Sequence, residues 1–183
     1  KPLLVILRHD AFRARDTGDY VRARACLEQA LADAREFGAR DEICICLCDL
    51  GVLALFEGRR EDAVHLFAES LELARQGALH VIVAWTLGGL GCALATLGEP
   101  DASARLLGAA EAAHERLDSP LEPFEARAYA DCSAPVRERL GEAELAAPWA
   151  AGRALSEADA AAYALTTVAD WRASNCEGYS SGP

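Results

Sequence analysis

Residues 44–77 read CICLCDLGVLALFEGRREDAVHLFAESLELARQG, and this stretch decides the fold. Leu47, Leu50 and Gly51 come before a turn at Gly58, and Ala63, Phe67, Ser70 and Leu71 follow it at helical spacing. Two apolar-periodic segments about a glycine turn make a helix-turn-helix hairpin. The same order returns 40 residues upstream as Leu7, Ala11, Gly18, Ala23, Leu27, Ala30 and Leu31. It returns again 40 residues downstream as Leu87, Leu90, Gly91, Gly98, Ser103, Leu107 and Ala110. A fixed period of this length marks a helical repeat array, in which each hairpin buries its apolar face only against its neighbours.

Working outward, the pattern predicts helices over 3–17, 20–37, 41–57, 60–77, 80–97 and 100–118. Gly38 suits the left-handed residue after a helix, and Pro100 a first turn, where its missing N–H costs nothing. Gly51 and Gly91 are expected to face Ala63 and Ser103 where the two helices of a hairpin cross, with Phe67 and Leu107 filling the gap to the next hairpin. Arg59 is expected to be exposed. The opening run Leu3-Leu4-Val5-Ile6-Leu7 is apolar all round, which calls for cover on both faces. The chain has no methionine, initiator included. It therefore reads as a piece of a longer protein that lacks an earlier repeat, with possible self-association through the first helix.

After Asp118 the period fails. Ser119-Pro120-Leu121-Glu122-Pro123 reads as a rigid linker, and Phe124 to Leu140 as a helix with a kink or break near Pro135, ended by Gly141. A short segment from Glu142 to Ala151 follows. Ser156 and Asp159 then form an N-cap signature for a helix running to about Val168. The organisation expected is thus 1–118 repeats, 119–168 a helical extension packed on the array, and 169–183 a disordered tail.

Composition narrows the class. The 183 residues are 52% hydrophobic, rich in Ala and Leu, and poor in the β-branched and aromatic residues of sheets. A net charge of −11 repels phosphate backbones and anionic membranes, so direct nucleic-acid or membrane binding is not expected. Seven cysteines lie mostly inside helical patterns rather than at the spacings of a disulfide framework, which points to a reducing, cytoplasmic setting.

The 44–77 hairpin resembles a tetratricopeptide repeat. Leu50-Gly51 match its first-helix signature, Gly58 its turn, and Ala63, Phe67 and Ser70 its second-helix series, although the period of 40 exceeds the about 34 typical of that family. Longer units of this kind are similar to the C-terminal sensor regions of bacterial multidomain signalling ATPases and LuxR-like transcription regulators. So are Ala104 to Glu111, Leu140-Gly141, Trp149 with Gly152 to Ser156, and Ala160 to Leu165. The resemblance implies an all-α, right-handed solenoid of three hairpins with a helical C-terminal cap. It also implies a regulatory scaffold within a larger protein.

Chemistry is sparse. No phosphate loop, H-E-x-x-H or G-x-S-x-G occurs, and Gly89-Leu90-Gly91 lies inside a helix rather than after a strand. Cys44 and Cys48 share a helix face while Cys46 points away, so the three read as buried apolar residues rather than metal ligands. The histidines are scattered, and Asp41-Glu42 and Glu61-Asp62 sit at helix starts, where they favour the positive end of the dipole. No enzyme, cofactor or metal site is expected.

In tetratricopeptide arrays the first helix of each unit lines the concave face. Carried onto this chain, the resemblance gives Val5, Arg8, Phe12 and Arg15 from the first unit, Ile45, Cys48, Val52 and Leu55 from the second, and Trp85, Gly88, Cys92 and Ala95 from the third. So apolar a groove needs cover, either by the C-terminal helices folding back or by a ligand or partner helix. The expectation favours a partner or an apolar ligand, with Arg8 and Arg15 fixing an acidic group and Trp85 anchoring the apolar body. The alternative reading is a stand-alone receptor for a small ligand or peptide.

Overall fold

The computed structural model describes residues 2–120 and 123–179. Among the described residues are eight helical segments and no strand: α1 (Pro2–Asp16), α2 (Tyr20–Glu36), α3 (Arg40–Phe56), α4 (Arg60–Gln76), α5 (His80–Leu97), α6 (Pro100–Leu117), α7 (Pro123–Arg153) and α8 (Glu157–Tyr179). Consecutive helices pack pairwise from α1 to α7, which is the all-α solenoid of three hairpin units expected from the period. Pro100 opens α6 as anticipated.

The period has a simple cause. The first six helices each end on a left-handed residue, at positions 18, 38, 58, 78, 98 and 118, one every 20 residues. Behind each, the next N–H donates five residues back: Asp19 to Ala14, Ala39 to Ala34, Arg59 to Ala54, Leu79 to Ala74, Glu99 to Leu94 and Ser119 to His114, at 2.8–3.2 Å. This is the Schellman closure, which satisfies carbonyls that a helix end leaves unpaired. Four of the six positions are glycine, whereas Ala78 (φ 53°) and Asp118 (φ 48°) adopt the conformation despite their side chains. Against a repeat of about 34 residues, each helix with its turn is longer by about three residues, close to one helical turn.

Within the hairpins, Gly51, Gly89 and Gly91 make room for large side chains. A Cβ at Gly51 would lie 2.8 Å from the Phe67 ring and one at Gly89 2.3 Å from it, so Phe67 is clamped between α3 of its own unit and α5 of the next. Gly91 likewise faces Leu107 at 2.9 Å. Nearest to Gly51 and Gly91 are thus the bulky residues of α4 and α6, which need the space. Full burial of a Phe contributes on the order of 2–3 kcal/mol. Ser70, fully buried, donates from Oγ to the Cys44 carbonyl at 2.8 Å and ties α4 to α3. Arg59 is half-buried rather than exposed, paired with Glu57 at 2.6 Å and Asp62 at 2.8 Å.

Two core clusters meet at α3. Cys46, Leu47, Leu50 and Leu53 pack toward the first unit, and Cys44, Cys48, Val52 and Ala54 toward the third. α5 is apolar on every side, with mean hydropathy 1.6 over 18 residues, long and apolar enough by composition to cross a membrane; 67% of that window is buried inside the protein. Neighbours in the array thus account for its apolar character. In α1, Leu4 is buried while Val5 (47%) and Ile6 (56%) remain exposed.

The C-terminal region departs from expectation in two places. α7 runs through position 135 without a break, and its non-helical residue is Gly141 (φ 76°, ψ 162°), a backbone conformation open essentially to glycine alone. Leu121 and Glu122 of the expected linker lie outside the described residues. α8 starts as foreseen, with Ser156 Oγ accepting from the Asp159 N–H at 3.1 Å and donating to its carboxylate at 2.6 Å. It then passes Val168 and continues to Tyr179, so the disordered tail expected from 169 is corrected; residues 180–183 lie outside the described set. The added turns are held on α4, where Trp171 meets the His65 ring edge-on at 6.1 Å and Arg172 reaches His65 Nδ1 at 2.7 Å. Earlier in α8, Glu157 pairs with His80 at 2.8 Å and Tyr163 lies 4.9 Å under Arg105.

Candidate interaction groove

The three first helices, α1, α3 and α5, carry the predicted inner-face residues, but the three units present them differently. In unit one, Val5 is exposed and Arg8, Phe12 and Arg15 are half-buried. The Arg8 and Arg15 guanidinium carbons sit 5.5 and 4.8 Å from the centre of the Phe12 ring, close enough for both to interact with the aromatic face. Both arginines already have carboxylate neighbours within the chain. Arg8 already pairs with Asp49 at 3.3 Å and Glu42 at 3.5 Å, joining α1 to α3, and Arg15 pairs with Asp16 at 3.1 Å.

In unit two, Cys48 and Val52 are buried, and Ile45 and Leu55 are half-buried against the same core. Burial pushes the Cys44 thiol up to about 11 and the Cys46 thiol up to about 12. Both are therefore inert thiols at neutral pH.

Unit three is covered by the chain itself. The first arm of α7 lies over α5: a Cβ on Gly88 would meet the Tyr129 ring at 2.2 Å, and the Tyr129 hydroxyl donates to the Trp85 carbonyl at 2.5 Å. An α-helical carbonyl that accepts from a side chain as well as from its own ladder marks a close, ordered contact. Cys92 is fully buried, and Cys132 of α7 packs against the same core beside it. Burial raises the Cys92 thiol, and the Cys92 contact lowers that of Cys132. Ala95 packs beside Ala104 and Leu145 of the second arm. The twelve inner-face residues therefore do not form one open groove. The structure joins Arg8, Phe12 and Arg15, and it places Trp85, Gly88 and Cys92 beneath Tyr129 and Cys132.

Tyr129 and Cys132 were not among the predicted site residues. Their signal was present as an apolar stripe, Ala128, Tyr129 and Cys132, on the helix after the linker. Between α7 and the ends of α3 and α5 remains a cavity of about 430 Å³ lined by Leu55, Phe56, Arg60, Ala95, Thr96, Ala128, Asp131 and Cys132. Among the described residues no three His, Cys, Asp or Glu side chains converge as metal ligands would.

Residues 11–76, spanning most of the first two units, match the tetratricopeptide repeat family. No curated protein and no solved structure matches the chain.

Proposed function

With a tetratricopeptide-like region over units one and two as premise, we propose that the chain is a non-enzymatic docking scaffold within a larger cytoplasmic transcriptional or signalling regulator. The inner face of units one and two receives an amphipathic helix of a protein partner. Repeats of this family generally mediate protein–protein contacts. The observation that carries the reading is the seating of α7: the array already holds one helix on its inner face, at unit three, through small residues that admit close approach. Beside it, Phe12, Ile45 and Leu55 remain partly accessible, apolar surface for a partner helix. A net charge of −11 argues against nucleic acid as that partner.

The alternative, a receptor for a small ligand in the groove, has the remaining 430 Å³ beside α7 as its room. A photo-crosslinking residue placed at Phe12, with exposed Glu28 on α2 as control, separates the readings. The scaffold predicts a protein crosslinked at 12 but not at 28, whose binding to the purified chain weakens about tenfold on Phe12→Ala. The same proteins captured at both positions, or none at 12, would contradict it.

A further inference from the structure

A further cavity lies away from the inner face, between α6 and the two arms of α7. Its floor is one stripe of α6, from Leu107 and Ala110 down to His114 and Asp118, and its walls are Tyr129 on one arm of α7 and Trp149 on the other. The volume is about 640 Å³, within the range of sites that enclose a small organic molecule.

The polar groups at its mouth are exposed, and they are acidic. Glu111 accepts from Trp149 Nε1 at 2.9 Å and from Arg153 at 2.5 Å, and Glu115 takes the same guanidinium at 2.6 Å. Two carboxylates therefore share one cation. Asp118, held at the end of α6 in the left-handed conformation, has no ion pair among the described residues. Arg116 also acts on Glu115, yet even with it counted, three carboxylates face two cations. His114 does not redress the balance. Its ring is 8% exposed, its Nδ1 lies 2.7 Å from the Ser119 carbonyl and donates to it, and burial lowers its pKa, so it stays neutral. Its Nε2, out of reach of solvent, has no partner. The histidine therefore adds no positive charge beneath the cavity.

We infer that this cavity binds a small molecule with a flat apolar body and one ammonium group, the body between Tyr129 and Trp149 and the ammonium at Asp118. Aromatic faces and unbalanced carboxylates attract a cation, and repel an anion of the same shape. This site is independent of partner docking at Phe12.

The test is calorimetric titration of the full chain with phenethylamine and 2-(2-naphthyl)ethylamine, and with 3-phenylpropionate as the anionic counterpart. The amines should bind with Kd below about 1 mM and the acid at least about tenfold more weakly. Asp118→Asn, which keeps the backbone conformation because Asn tolerates it, should weaken the amines by about fivefold or more. Ala126→Trp, at an exposed lining position, should abolish binding with the helical circular dichroism unchanged. No amine binding at about 5 mM, equal binding of the acid, or binding indifferent to Ala126→Trp would overturn the inference.

Discussion

The inner faces of units one and three come from equivalent helices of the same repeat, yet one is open and the other is covered. Unit three offers Gly88, Cys92 and Ala95, side chains so small that Tyr129 of α7 reaches the backbone of α5 and Cys132 lies beside Cys92. Unit one offers Phe12 beside two arginines that carry their own ion pairs to Asp49, Glu42 and Asp16. A helix seated there has to leave those ion pairs in place, since desolvating them without replacing their partners is costly. The repeat supplies a curved surface, and the side chains along each first helix determine whether the chain itself or something else lies on it.

Adding a methyl group at unit three is the strongest way to break this comparison. Gly88→Ala sets a Cβ 2.2 Å from the Tyr129 ring and should lower the stability by about 2–3 kcal/mol in chemical denaturation. Phe12→Ala in unit one, where the ring is half-buried, should cost about 1 kcal/mol or less. Similar losses at both sites would mean that α7 is not seated as described.

A smaller change addresses the one polar tie of the cover. Tyr129→Phe removes the hydroxyl that donates to the Trp85 carbonyl while keeping the ring, and should cost about 1 kcal/mol. An unchanged denaturation midpoint would show the hydroxyl to be hydrated in solution.

At the turn into unit three, Ala78 holds φ 53° where the equivalent turns after α1, α2, α3 and α5 use glycine. Ala78→Gly should raise the stability by about 0.5–1 kcal/mol, as relief of the left-handed strain outweighs the added freedom of the unfolded chain. The same substitution at an exposed helical alanine such as Ala32 should lower it.

The smallest effect is the pH dependence carried by His114 on the covered side. Its folded-state pKa lies below the ordinary 6.5, so the unfolded chain binds the proton more readily. Stability is therefore full above 6.5 and declines as the pH falls from 6.5 toward the folded value. His114→Gln should flatten that part of the melting-temperature profile, and a profile of unchanged slope would deny the histidine this part.

The array is legible in the sequence because its turns demand glycine: Gly18, Gly38, Gly58 and Gly98 mark the interval, and the apolar stripes between them have helical spacing. Ala78 and Asp118 take the same conformation without announcing it, since nothing in those residue types requires it. The inner-face residues of α1, α3 and α5 could be placed by analogy with the repeat, but not their cover, because Gly88 and Tyr129 lie 41 positions apart and a glycine reads alike under a helix, a ring or solvent. Gly141 carries the bend where Pro135 seemed the better breaker, since φ 76° is accessible to glycine at no steric cost. The length of α8 depends on Trp171 and Arg172 meeting His65, a contact with no local sequence signal.

The central claim, that α7 closes the inner face of unit three, is tested most directly by the rate at which N-ethylmaleimide alkylates Cys92 in the native chain, resolved by peptide mass spectrometry. Cys92 is fully buried beside Cys132, whereas Cys26 is half-buried on α2. The account predicts that Cys92 reacts far more slowly than Cys26 and accelerates in the Gly88→Ala variant. Alkylation of Cys92 as fast as Cys26 in the wild-type chain would contradict it.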